Sequence, residues 1–364
     1  MRAVVCIPAR DEAERLPRLL RSLAAQTGLP AGLSGALRVV VLANNCTDGT
    51  PDIVRRLEAE GALASLALRL LEVRVEGAEA HVGTARRMAL EAGADWLAED
   101  GAAEDGVLLT TDADAWAPPD WIAANLAALE QADVVGGRLV IDADAEIAPA
   151  LADLHARIER YWSAVRALED ILDPPAHDPA PRHGDHTAAS LAMRAGLYRA
   201  VGGLPAIPCG EDNALVARLT RAGARLRHCP RVKIHVSDRH EGRVTGGMAT
   251  EMARRAEAVR AGGDYELPEA ALWHGLVARR AALRQAWRQG WHQGEAARRR
   301  ACQSLGLDAA DLAAIESEPC PNDIAFVERA HARLEARAEP ARFVPLDAAI
   351  ADLEALARGL RAAA

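Results

Sequence analysis

The chain has 364 residues, with 43 basic against 52 acidic side chains for a net charge of −9, and half of it is hydrophobic. This is globular composition, long enough to bury a sizeable core, and it excludes a disordered chain. The acidic balance argues against sequence-independent nucleic-acid binding, which needs clustered positive charge to displace counterions.

Residues 3–7 are a β-branched run that reads as a strand. Leu16, Leu19, Leu20 and Leu23 then recur at helical spacing around Pro17, which a first helical turn tolerates. A second strand at 37–42 runs into the turn-rich Asn44-Asn45-Cys46-Thr47-Asp48-Gly49-Thr50. Thr50 and Pro51 read as the cap and first turn of a helix reaching about Glu60. A strand at 66–73, a helix at 83–92, a strand at 107–111, a helix at 120–131 behind Pro118-Pro119 and a strand at 134–141 continue the alternation. Strands alternating with helices predict an α/β domain built on a parallel sheet with covered faces. Ligands of such sheets bind beyond the carboxyl ends of the strands, which directs attention to the loops after Ile7, Leu42 and Thr111.

Residues 145–172 carry a long helical pattern with Leu151, Leu154, Ile158, Trp162, Val165 and Leu168 on one stripe, ending in a proline-rich stretch at 173–181. A helix at 214–222 and an alternating apolar run at 232–236 follow. From about Thr250 the chain is Ala/Arg-rich and helical, so the expected domains are 1–247 and an α-helical region at 248–364. In the latter, Leu272, Leu276, Leu283, Trp287 and Trp291 share a stripe beside Arg280, Arg284 and Arg288. Packing is the favoured reading of that stripe; peripheral contact with an anionic membrane surface through the C-terminal helices is the other.

The only lysine is Lys233, and it follows no glycine-rich turn, which sets aside P-loop enzymes and protein kinases. No two of the six cysteines form a Cys-x-x-Cys pair, so a structural zinc site is not expected and the thiols suit a reducing compartment. The first residues do not form a signal peptide and no stretch is long and apolar enough to span a bilayer, so the expectation is a cytoplasmic protein.

Asp112-Ala113-Asp114 follows the fourth strand directly, where two carboxylates one residue apart can share a divalent metal. As an isolated pattern it reads equally as a solvated turn. Glu211-Asp212 opens a helix, where acidic residues also serve simply to complement the helix dipole. His235 ends the 232–236 run, a place where a lone histidine is more often structural than a ligand. His177, His183 and His186 fall in a loop that reads as an acceptor-side flap rather than a second metal site.

In this order the pieces resemble the family 2 glycosyltransferases, which have the GT-A fold, over residues 3–247. Val5-Cys6-Ile7-Pro8-Ala9-Arg10-Asp11-Glu12 is similar to the family's first strand and nucleotide-contacting turn, Asn44 to Thr50 to its base-binding loop, and Gly83-Thr84-Ala85-Arg86-Arg87 to its donor-facing helix. The resemblance implies a Rossmann-like nucleotide-diphospho-sugar transferase. It implies donor contacts from Pro8, Arg10, Glu12, Asn44, Asp48, Arg86 and Asp112, and a divalent metal, Mn2+ or Mg2+, on Asp114, Asp112 and His235. Asp212, with Glu211 beside it, would be the catalytic acid pair, Asp212 as general base. Arg239 and Arg243, in a glycine-ended loop, would close over the diphosphate. Ala43 and Asn44 stand where many members carry aspartates, which leaves the donor open between UDP- and GDP-linked sugars. The expected partner is a small-molecule or lipid-linked acceptor, with no nucleic acid, and the expected outcome is inversion at the anomeric carbon. The rival readings are a retaining GT-A enzyme resembling the glucosyl- and mannosyl-glycerate synthases, and a catalytically silent GT-A binding module.

Overall fold

The computed structural model describes residues 2–31, 33, 36–141, 148–237 and 248–363. Seven strands, β1 (Ala3–Ala9), β2 (Leu37–Asn44), β3 (Leu66–Val73), β4 (Val107–Thr110), β5 (Val134–Ile141), β6 (Leu191–Arg194) and β7 (Leu226–Val236), form one sheet in the order β3-β2-β1-β4-β6-β5-β7. In chain order the first helices are α1 (Leu16–Ala24), α2 (Thr50–Ala59), α3 (Val82–Glu99), α4 (Trp121–Ala128), α5 (Pro149–Leu172), α6 (Ala195–Ala200) and α7 (Glu211–Arg221).

β1 is buried on both faces, as a central parallel strand must be, and its Cys6 lies opposite Val40 of β2 and Thr110 of β4. The expected purely parallel sheet needs correcting at one strand. β6 runs antiparallel to both β4 and β5, wedged between them. Four residues are too few to show a strand period, so nothing local announces β6; pairing on both sides makes it. The β5–β7 pairing shifts register between Gly137 and Arg138. A Cβ on Gly137 would lie 2.1 Å from Ser190 Oγ, the atom that accepts a hydrogen bond from the buried Trp121 Nε1 at 2.9 Å.

The start of α2 also differs from expectation. Gly49 is the cap, in the left-handed region at φ 80°, and Thr50 is already helical. The Thr50 hydroxyl instead accepts from Glu12 N at 2.8 Å, and Asp48 Oδ1 accepts from Thr50 N at 2.9 Å. The capping oxygen therefore comes from Asp48, and Thr50 ties the β1 loop to the helix.

The chain divides into two compact units, each described for its described residues. The first comprises Met1–Ala145, Pro181–Leu219 and Arg225–Thr250, and its core joins β1, β2 and β4 to α1 through Val5, Ile7, Val39, Leu109, Leu19 and Leu20. The second comprises Glu146–Ala180, Thr220–Ala224 and Glu251–Ala364. It contains α5, α8 (Met248–Ala261) from Glu251 onward, α9 (Ala270–Gly290), α10 (Glu295–Ser304), α11 (Ala309–Ile315), α12 (Asp323–Glu335), α13 (Leu346–Ala363) and a hairpin of β8 (Glu266–Pro268) with β9 (Phe343–Pro345).

In the second unit Leu154, Ile158, Tyr161 and Leu168 of α5 pack with Ile350 and Leu353 of α13. Leu283, Trp287 and Trp291 pack with Phe326 and Val327 of α12, as the apolar stripe predicts. Two of the three neighbouring arginines are paired inside this unit: Arg284 bridges Asp173 at 2.7 Å and Asp323 at 2.5 Å, and Arg280 pairs with Glu328; further along, Arg298 pairs with Glu316 at 2.6 Å. Among the described residues no helix is long and apolar enough to cross a membrane.

Candidate active site

The loops after β1, β2 and β4 meet at the carboxyl edge of the sheet, where the strand pattern directs attention. The first two loops are laced together. Asp11 Oδ1 accepts from Thr47 N at 2.6 Å and Asp48 Oδ2 from Ala13 N at 2.9 Å. Burial pushes the Asp48 carboxyl up, and hydrogen bonds from Thr50 and Ala13 outweigh it, so its pKa lies below the ordinary value. Asp11 and Asn45 adopt φ of 50° and 53°, left-handed positions that Asn and Asp tolerate best and that cluster at functional loops. Asn45 is held by reciprocal 2.8 Å bonds with the backbone of Val75.

Of the expected donor contacts, Pro8 lies in β1, Arg10 is exposed and Glu12 buried in the loop beyond it, and Asn44 ends β2. Asn44 is 2% exposed and, among the described residues, its Oδ1 has no hydrogen-bond partner, a buried acceptor at the strand end. Arg239 and Arg243 lie outside the described residues.

Along 111–117, burial alternates residue by residue: Ala113, Ala115 and Ala117 point into the core while Asp112, Asp114 and Trp116 lie on the partly open side. Asp114 Oδ2 accepts from Ser237 Oγ at 2.8 Å. Trp116 and His235 bond to each other through both backbone N–H and C=O groups at 3.0 Å, which brings the far end of β7 against the acidic segment. Sequence reasoning missed Ser237 and Trp116. The alternation of Asp-Ala-Asp-Ala-Trp-Ala was the signal for Trp116; Ser237 had none.

Arg86, in the second turn of α3 and 4% exposed, is the centre of the site. Its NH2 donates to Asp112 Oδ1 at 2.7 Å, its NH1 to Thr110 Oγ1 at 3.1 Å and its Nε to Glu211 Oε1 at 3.1 Å. Burial pushes the guanidinium pKa down, and Asp112 and Glu211 outweigh it, raising it above the ordinary value. The Asp112 carboxyl is pushed above its usual range by burial, which Arg86 opposes and Asp114 and Asp212 reinforce. Three of the five guanidinium N–H donors are thus engaged by groups of the protein itself.

α7 begins behind Gly210 at φ 75°, and its first two residues face different ways. Glu211 is 5% exposed and turned to Arg86; Asp212 is half-buried, with Oδ2 accepting from Ala188 N at 2.9 Å and Oδ1 from Asn213 N at 2.8 Å. Near Ala188, His186 Nδ1 and His228 Nε2 share a hydrogen bond at 3.1 Å, while His183 accepts from Asp185 N and bonds Cys229 O. Burial drives the His183 imidazole down to about 4, a structural, neutral ring.

Among the described residues, three potential metal ligands lie within 4.8 Å of one another at Asp11, Cys46 and Asp48. Their donors are already committed to the loop: both carboxylates accept backbone bonds, and burial pushes the Cys46 thiol up, away from the thiolate a metal requires. Asp112, Asp114 and His235 share one edge without closing into such a group.

With this geometry in view, residues 4–170 match the model of Glycosyl transferase family 2. Over that segment, just under half of the chain, the protein is similar to the family 2 glycosyltransferases. The seven-stranded sheet with its flanking helices is that of the GT-A fold, followed by an α-helical C-terminal region. A search of curated proteins gave no match. Among solved structures, TarS 1–349 from S. aureus in complex with UDP-GlcNAc is 14% identical with a TM-score of 0.47, over 92% of each chain. The mannosyltransferase PcManGT from Pyrobaculum calidifontis, in complex with GDP-Man and Mn2+, is 20% identical with a TM-score of 0.47, over 100% of this chain and 85% of that one. In a longer TarS structure, the match spans 37% of that chain, at 16% identity and a TM-score of 0.44.

Proposed function

We propose that this glycosyltransferase is metal-dependent and moves a sugar from a nucleoside-diphospho-sugar to an acceptor hydroxyl with inversion. Residues 1–247 would carry the reaction in the cytoplasm. The observation that supports it is the Arg86 bridge, which ties the acidic segment after β4 to the first turn of α7, beside Asp212. Donor side and acceptor side are thereby held in one frame.

The donor set suits a hard divalent cation: two carboxylates and an imidazole at one strand edge, with the Asp112 side chain 38% exposed. Asp112, Asp114 and His235 would hold Mn2+ or Mg2+, which would supply charge neutralisation on the leaving diphosphate. Arg10, Glu12 and Asp48 lie in the loops where the nucleoside would sit, beyond Pro8 in β1 and Asn44 at the end of β2. Arg239 and Arg243 would meet the diphosphate.

Asp212 takes the proton of the acceptor hydroxyl while that oxygen bonds the anomeric carbon. The bond from the anomeric carbon to the phosphate oxygen breaks, its electron pair leaving with the nucleoside diphosphate. Each Asp212 oxygen already accepts one backbone N–H and keeps capacity for a second bond, so the carboxylate is oriented without being saturated.

The test is a melting-temperature panel of UDP, GDP, CDP and dTDP with Mn2+, Mg2+ or EDTA. One nucleotide raising the midpoint by about 2–4 °C, and losing that effect in EDTA, supports the reading and names the base. No shift with any of the four would favour the silent binding module.

A further inference from the structure

We infer that Glu211 is a positioning residue which acts through Arg86, and that the proton of the acceptor goes to Asp212 alone. This rests on the transferase reading above. Two neighbouring carboxylates open α7, and sequence alone gives no reason to separate them. Their surroundings do. Glu211 is 5% exposed and its Oε1 faces Arg86 Nε at 3.1 Å, deep behind the partly open edge where Asp112 sits. A buried carboxylate paired in this way to a buried guanidinium is walled off from an incoming hydroxyl. Asp212, about 100° further round the helix, is half-buried and accepts from two backbone donors.

Arg86 connects three elements. Its NH1 holds Thr110 at the end of β4, its NH2 fixes Asp112 two residues on, and its Nε fixes the first residue of α7. Because α7 is anchored at Glu211, the place of Asp212 relative to Asp112 is set through this one side chain. Glu211 therefore needs an acceptor oxygen in the right position, not basicity. A glutamine keeps that oxygen; an alanine does not.

The experiment compares Glu211→Gln, Glu211→Ala and Asp212→Asn in the full chain. It measures release of UDP or GDP from UDP-glucose, UDP-N-acetylglucosamine and GDP-mannose with Mn2+, and melting of every variant. Loss of the proton acceptor in Asp212→Asn should lower kcat by about 10²–10⁴-fold. Glu211→Gln, which swaps a charge-assisted hydrogen bond for a neutral one, should lose about tenfold in kcat with donor KM nearly constant. Glu211→Ala should fall well below Glu211→Gln. If Glu211→Gln is as inactive as Asp212→Asn while folded, Glu211 handles the proton and the inference is overturned. If Glu211→Ala does not fold, the other two variants decide. A wild-type chain that turns over none of these sugars and binds none of the diphosphates overturns the transferase reading itself, and the inference with it.

Discussion

The ring of Trp116 lies flat against the ring of His235, with centroids 3.8 Å apart and planes 10° from parallel, while their backbones exchange two hydrogen bonds. Arg18 also lies over the Trp116 ring, its Cζ 4.8 Å from the ring centre. The stack sets the plane in which His235 can offer a nitrogen. Trp116→Ala should weaken Mn2+-dependent nucleotide binding by about 10–100-fold, the usual cost of releasing a ligand's support, and Trp116→Phe much less. Calorimetric titration of the diphosphate with and without Mn2+ checks this; equal losses without the metal would mean that the stack serves only the fold.

Arg86 is buried against Glu211, itself buried, and against the more exposed Asp112, and removing it leaves a buried Glu211 carboxylate without its cation. Arg86→Met should cost about 3–5 kcal/mol of stability, because the penalty is that of a stranded charge and not of one lost bond. Arg86→Lys keeps the charge but cannot fork to three partners, so its loss should be intermediate. Urea unfolding of the three proteins measures the order.

Gly83 starts α3 against the loop before α7. A Cβ there would lie 2.0 Å from the carbonyl oxygen of Ile207, a backbone atom with no side-chain freedom to yield. Gly83→Ala should therefore lower stability by about 1–3 kcal/mol. It should also depress turnover more than a surface Gly→Ala change such as Gly359→Ala, where nothing lies within 4 Å. Thermal melts together with activity separate the two effects.

His183 is 6% exposed, and burial lowers its pKa from 6.5 to about 4. The unfolded chain binds a proton on this ring below pH 6.5 and the folded chain does not until about 4. Stability should thus be full above pH 6.5 and fall as pH drops towards 4, by on the order of 3 kcal/mol for this group. His186 is lowered in the same direction by burial and His228, and adds to the slope. Unfolding free energies of wild type and His183→Gln between pH 7.5 and 4 test it: the variant should show the shallower acid limb.

Much of the fold was legible because it is written in local periods. β3 and β5 fall at the predicted residues, and Leu16, Leu19, Leu20 and Leu23 are all buried in α1 as their spacing requires. The acidic segment was legible too, since Asp112 follows a buried strand whose end must face the ligand edge. The start of α2 was misread because Thr50 has the chemistry of a cap, and a contact with Glu12, 38 residues away, claimed its hydroxyl instead.

What the sequence determined by itself is therefore the alternation of strands and helices, the edge on which a site must lie and the residue types available there. Periodicity and turn chemistry act over a few residues, and they decide these without help. The partners of Arg86 were decided by tertiary structure alone: Thr110, Asp112 and Glu211 lie 24, 26 and 125 positions away, and only packing of α3 on the sheet brings them within one guanidinium. The same holds for β6, too short to be a strand until β4 and β5 pair with it, and for the different surroundings of Glu211 and Asp212. Adjacent carboxylates on a helix are chemically alike in sequence. They become different when packing turns one toward a buried cation and leaves the other half-buried.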